Sequence, residues 1–299
     1  MSNQLATNQL ATNKQDEQVM RTLTSYKSNW MLPLRNILGI VALFPLLVLV
    51  GCVSISTGDG DHAGSDEENQ LHTFEVGDNP TIDVTGFNGA IEIVTGSDGV
   101  VDVETKLTIP NRVSYSATVS GNTVTVVAKK TGSGITIGRS PQANIRLVVP
   151  AHATIEARSS NGSVKVTGIT GDGDLETSNG KITIDGVTGT FDSSTSNGGV
   201  KITNSSGEFT AETSNGRIEF SGSFSADSDN EFSTSNGSID ITFTDEPNVD
   251  LDAKTSNGNV NSDRPILVTT TKPNQLVGKY GDGSASLELR TSNGSIDLR

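Results

Sequence analysis

The chain is poor in the residue types on which most active sites are built. It has one cysteine in 299 residues, so no intrachain disulfide and no zinc site of several cysteines can form. Its three histidines, His62, His72 and His152, lie far apart and form no ligand pair. Aromatic residues are 4% of the total, with a single tryptophan, Trp30, which disfavours a cofactor pocket with broad aromatic walls. Basic residues are also short: 21 Lys and Arg stand against 35 Asp and Glu, a formal charge of -14. No basic footprint for nucleic acid exists in such a chain. Hydrophobic residues are only 33%, lean for a globular protein. What is abundant is glycine, 32 residues, accompanied by Ser, Thr and Asn. That composition suits many short strands joined by tight turns, or disorder.

One long apolar run is present, and it lies early. Residues 37–50 carry no charge, with Arg35 just before them. A basic flank followed by an apolar run is the layout of a secretory signal. The run ends in Leu49-Val50-Gly51-Cys52, which resembles the bacterial lipobox. The resemblance implies cleavage before Cys52 and a diacylglycerol on its thiol, tethering the protein to a membrane. An uncleaved N-terminal membrane helix is the competing reading. Every basic residue before Cys52 (Lys14, Arg21, Lys27, Arg35) precedes the apolar run, so under both readings the body is exported. Met31 would give a leader of ordinary length and is an alternative start. Without residues 1–51 the remainder has 17 basic and 33 acidic residues, a formal charge of -16. The expected organisation is therefore a leader over 1–51, a lipidated Cys52 with a flexible acidic tether over 52–72, and a body over 73–299.

The body reads as strands throughout. From His72 to Pro150, short alternating runs such as TIDV, AIEIV, VVDVETKLTI and TVTVVA are separated by turn residues. The second half repeats. Ser-Asn-Gly recurs with asparagines at 161, 179, 197, 215, 236, 257 and 293, spaced by 18, 18, 18, 21, 21 and 36 residues. The motif glycines are Gly162, Gly180, Gly198, Gly216, Gly237, Gly258 and Gly294. One residue after each comes an apolar-x-apolar pair, for example Val164/Val166, Ile182/Ile184 and Ile296/Leu298; the 257 unit departs, with Ser262 after Val260. A second, looser turn falls mid-unit, at GITGDGD, GVTGT and NSSGE.

Asn and Gly both tolerate positive φ, so Asn-Gly is expected to turn the chain sharply at small steric cost. Eighteen residues bury too little to fold alone, and stacking supplies the core, as in a solenoid. Equivalent asparagines would then align as a hydrogen-bonded ladder. An antiparallel meander shares the same period; the constant inward phase after every Asn-Gly favours stacked coils. The last unit would leave an open strand edge available for self-association.

These short strands, the Val149-Pro150 step and the Ser-Asn-Gly-x-Ile/Val units resemble the bacterial envelope family known as putative adhesins, over residues 73–299. The resemblance implies an all-β right-handed parallel β-helix, often exported or anchored. The family brings no established catalytic residues and no cofactor. The expected function is accordingly a non-enzymatic structural or binding module at the cell envelope, with glycans or envelope proteins as partners. An envelope-stress regulator acting through a membrane partner is the first alternative. A carbohydrate-active enzyme is the second, with Asp174, Glu176, Asp185, Asp192, Glu208, Glu212, Glu219 and Asp240 as candidate acids. These read better as a solvated outward face. A serine nucleophile at Ser159 or Ser160 served by His152 is the remaining catalytic possibility.

Overall fold

The computed structural model describes residues 66–132 and 138–299. Cys52, the leader and tether residues 52–65 lie outside the described residues. Among those described, every regular element is a strand except one 3-10 turn at Pro110–Arg112. No helix among them is long and apolar enough to cross a membrane.

The Ser-Asn-Gly units stack as parallel coils, each giving one strand before the Asn-Gly corner and one after it. Before the corner, Thr154–Ser159, Gly173–Thr177, Thr188–Thr195 and residues 206–213 pair in parallel, one above the other. After it, Val164–Thr167, Ile182–Asp185, residues 200–203 and Ile218–Phe224 do the same. Strand Val200–Thr213 bends from one ladder into the other, and a short third ladder through His152, Thr170, Thr188 and Ser206 closes the remaining side. Pairs of the apolar-x-apolar pattern, Ile182/Ile184 and Val200/Ile202 among them, point inward and are buried. Mid-stack, where Val and Ile give way to Phe, the rings of Phe191, Phe209, Phe220 and Phe232 follow one another at 6.4, 5.4 and 5.5 Å. Gly173 makes room for this stack, since a Cβ there would stand 2.4 Å from the Phe191 ring.

The coils are not stacked in chain order. Strand Asp229–Asn236 pairs with Ala285–Asn293, and that strand pairs in turn with Val249–Asn257. On the other side Ile239–Phe243 is followed by Ile296–Leu298 and then Val260–Ser262. The unit at 285–298 is thus sandwiched, and the open edge expected beside it is covered by the 249–262 coil. Ser262 breaks the apolar pattern because its coil is outermost on that side: the Ser262 hydroxyl meets Tyr280 OH at 2.6 Å instead of a further rung. At the opposite end, Thr81–Thr85 and Ile91–Thr95 form a coil directly beneath 154–167, far from it in sequence.

Both ends differ from the parallel β-helix expected over the whole body. Strand Val100–Thr108 pairs antiparallel with Glu67–Glu75 on one side and Gln142–Val149 on the other, and Val113–Ser120 pairs antiparallel with Thr123–Lys130. At the far end Gln275–Tyr280 lies antiparallel to Val249–Asn257 and to Leu267–Lys272. Residues 67–72, assigned from sequence to the flexible tether, belong to the first strand. The large hydrophobics that remain exposed, Leu71, Val119, Leu267 and Val268, all sit on the end strands Glu67–Glu75, Val113–Ser120 and Leu267–Lys272.

Candidate functional site

The repeated corner is the most ordered polar feature of the molecule. Each asparagine Nδ2 donates to the Oδ1 of the asparagine beneath it: Asn179 to Asn161 at 2.8 Å, Asn197 to Asn179 at 2.8 Å, Asn215 to Asn197 at 3.1 Å and Asn236 to Asn215 at 3.0 Å. The series continues from Asn293 to Asn236 and from Asn257 to Asn293, both at 2.9 Å, following stack order. Asn161 donates to Asn88 at 2.9 Å, and Asn88 closes the row on the Pro141 carbonyl at 3.1 Å. The sequence pattern missed Asn88 because Phe87-Asn88-Gly89 lacks the serine.

A buried hydroxyl row runs beside this ladder. Thr177 Oγ1 donates to the Gly162 carbonyl at 2.9 Å and accepts from Gly180 N at 3.2 Å. Thr195 does the same with Gly180 O at 3.0 Å and Gly198 N at 3.2 Å. Thr213, Thr234, Thr291 and Thr255 donate to the carbonyls of Gly198, Gly216, Gly237 and Gly294. The functional repeat is therefore Thr-Ser-Asn-Gly, with Ser159 replacing Thr in the first copy. The hydroxyl residue was visible one position before every Ser-Asn-Gly. Its role was not, because only the stacked neighbour supplies the carbonyl it binds.

The motif glycines are required for space and not, as expected, for positive φ. None of Gly162, Gly180, Gly198, Gly216, Gly237, Gly258 and Gly294 has a left-handed φ. A Cβ on any of them would stand 1.6 to 2.1 Å from the carbonyl oxygen of the adjacent rung's glycine. The φ argument holds at the second corner instead, where Gly171, Gly189 and Gly207 have φ of 147°, 140° and 147°.

The outward side chains also stand in rows. Along the first ladder Asp83, Glu156, Asp174 and Asp192 are in register, as are Glu231, Glu288 and Asp252 further on. Of the candidate acids, Asp174 and Asp192 share one row and Glu219 and Asp240 another, Glu176 and Glu212 flank Ser194 in a third, and Asp185 and Glu208 stand apart. Arg158 bridges Glu156, Asp174 and Glu176 at 3.2, 2.6 and 3.8 Å, and Arg290 bridges Asp252 and Glu288 at 2.8 and 3.0 Å. On the other ladder charges alternate: Glu92 meets Arg146 and Lys165, and Glu219 meets Lys201 and Arg217. Hydrogen bonds from Asn204 at 2.8 Å and Thr203 at 2.9 Å hold the Asp185 carboxyl below the usual range. Burial would raise Glu219, but hydrogen bonds and charge from Lys201 and Arg217 hold it below as well. Asp240 is paired with Arg217 and Arg299. Glu208 and Glu212 lie on the coil adjacent to that of Asp192, and none of the three has an ion pair among the described residues. These acids are spread over several outward rows. Among the described residues no three metal-ligating side chains converge.

The serine-histidine possibility is removed by geometry. Ser159 is buried with its Oγ accepting from Gly162 N at 3.0 Å, while His152 lies at the other end of the strand Thr154–Ser159, about 20 Å of extended chain away. A cavity of about 410 Å³ opens at the antiparallel cap between Glu68, His72, Leu107, Pro110, Val113 and Tyr115. There His72 stacks on Phe74 at 6.0 Å and meets the Tyr115 ring at a 30° tilt, 5.8 Å away. Burial pushes the His72 pKa down and that of Tyr115 up, and among the described residues His72 Nε2 has no hydrogen-bond partner.

A putative cell adhesion protein from Clostridium sporogenes is 12% identical, aligned over 78% of this chain and 98% of its own, with a TM-score of 0.39. A putative adhesin from Bacteroides fragilis is 15% identical over 78% of this chain and 97% of its own, with a TM-score of 0.40. One from Parabacteroides distasonis is 14% identical over 80% and 100%, with a TM-score of 0.31. No curated protein matches the chain. The Toastrack DUF4097 family model matches residues 142–299, which span the stacked Thr-Ser-Asn-Gly coils. By that match, over more than half of its length, the chain belongs to the Toastrack DUF4097 family.

Proposed function

We propose that this protein is an exported, lipid-anchored display module of the bacterial envelope, held to the membrane through Cys52. Its coils wind right-handed, as parallel crossover connections almost always do. The body binds a surface glycan or an envelope protein along its sides and performs no chemistry. One observation carries this reading: the polar groups at the corner are satisfied within the stack, while the outward side chains form straight rows at rung spacing. Such rows offer a repeating ligand many equivalent weak contacts, which multivalency turns into avidity.

The test compares intact mass, membrane fractionation and cell binding of the full chain with those of Cys52→Ala. A mature chain beginning at Cys52 with added lipid mass, released to the soluble fraction by the substitution, supports anchoring. Binding of that released protein to cells or envelope glycans supports display. An unlipidated cytosolic wild-type chain would overturn the proposal, and so would a released body that binds neither cells nor envelope components.

A further inference from the structure

The Asn-Gly corners carry a chemical liability that the stack distributes unequally. Glycine has no side chain to hinder its amide, so an Asn-Gly backbone nitrogen reaches the preceding side-chain carbonyl more readily than any other. Reaction needs three freedoms: an asparagine amide that can rotate, a glycine N–H open to base, and solvent at both.

Interior rungs hold every asparagine amide on both sides, and at each of them except Gly216 the glycine N–H also has an acceptor. Asn197 is typical: its Nδ2 donates to Asn179 at 2.8 Å, its Oδ1 accepts from Asn215 at 3.1 Å, and Gly198 N donates to Thr195 at 3.2 Å. Gly198 itself is buried. At the lower end Asn88 is half-buried and held on both sides, by Asn161 at 2.9 Å and by Pro141 O at 3.1 Å. The upper end is different. Asn257 donates to Asn293 at 2.9 Å, but among the described residues nothing donates to its Oδ1, because its coil is the last in the ladder. Gly258 is the one motif glycine that is exposed, and among the described residues its N–H has no acceptor, a lack it shares only with the half-buried Gly216.

We infer that Asn257 is a deamidation site built into the end of the ladder, and that the stacked hydroxyl and amide rows protect the remaining Asn-Gly corners. In the reaction the Gly258 nitrogen bonds to Asn257 Cγ and the Cγ–Nδ2 bond breaks. Ammonia leaves with the amide proton, and water opens the cyclic imide to aspartate or isoaspartate. The product carries one more negative charge and loses the donor to Asn293. The ladder then ends on an unmatched pair of acceptors.

The experiment ages the full-length protein at mildly alkaline pH and maps the mass gain by peptide, folded and in denaturing urea. In the folded chain Asn257 converts first, ahead of every other Asn-Gly by more than about tenfold, which corresponds to ~1.4 kcal/mol of extra local opening at the protected corners. In urea all the Asn-Gly sites convert at similar rates. Asn257→Gln removes the early product and leaves the slow ones unchanged. The inference is overturned if another Asn-Gly converts first, if Asn257 keeps pace with the interior corners, or if the folded chain converts at no site while the unfolded chain does.

Discussion

Gly198→Ala separates the two explanations of the motif glycine. Were conformation the issue, alanine would cost little, since the native φ is not left-handed. The structure gives another answer. The new Cβ would stand 1.7 Å from the Gly180 carbonyl oxygen, 2.5 Å from its carbon and 3.1 Å from Lys181 N. Relief to an ordinary contact requires the rungs to part by about 1.5 Å out of a spacing of about 4.7 Å. Overpacking of this kind costs about 1–3 kcal/mol. Parting also breaks the Thr195 bonds to Gly180 O and Gly198 N, at 3.0 and 3.2 Å, worth about 1 kcal/mol each. The expected loss is about 3–5 kcal/mol in urea unfolding followed by circular dichroism. Gly186→Ala is the control: its φ is 65° with nothing within 4 Å of the new methyl, so the cost is the left-handed strain alone, about 1–2 kcal/mol. If Gly198→Ala costs no more than Gly186→Ala, the steric account of the corner fails.

Other predictions follow from the rows and the cap. Thr195→Val keeps the shape but orphans a buried carbonyl and a buried N–H, so it should lose about 2–4 kcal/mol in the same assay, with Thr195→Ser near wild type. Asp192→Asn relieves like charges in register with Asp174 on the adjacent rung, and should stabilise by about 0.2–1 kcal/mol, a gain that shrinks as salt is added. A destabilised Asp192→Asn would show that the acidic row has a partner in the folded chain. Burial disfavours the charged form of His72, so its folded pKa lies below its unfolded value. Protons then bind the unfolded chain first, and stability falls as pH drops from the ordinary histidine value through the lowered one. His72→Phe should flatten that step in pH-dependent melting; an unchanged profile would refute the assignment.

Much of the stack is legible in the chain because neighbouring coils repeat the same instruction. Val164/Val166 through Ile296/Leu298 point inward as their phase after Asn-Gly requires, and the asparagine ladder forms from identical residues at identical positions. Four things were hidden. Stack order is a long-range choice: nothing local to 285–298 says that it fits between 229–243 and 249–262. Antiparallel and parallel strands share one alternating pattern, so Val113–Ser120 and Thr123–Lys130 read like any other pair of strands. Steric exclusion of a Cβ depends on a carbonyl one coil away, and a single Asn-Gly carries no trace of it. The acidic rows were hidden for the same reason: Asp83 and Glu156 lie side by side through pairing and not through spacing.

The inserted coil bears on how the molecule is made. A ribosome finishes residues 249–262 before it starts 285–298, yet the earlier segment occupies the outer position. Until the later one arrives, either the 249–262 coil waits unplaced or it settles one rung too low and must be displaced. Long loop closure of this sort is slow. In an array stacked in chain order, trimming the end removes an outer repeat and leaves the rest intact. Here a chain stopped before residue 285 would lack an interior rung, so its last repeat is the one it can least do without.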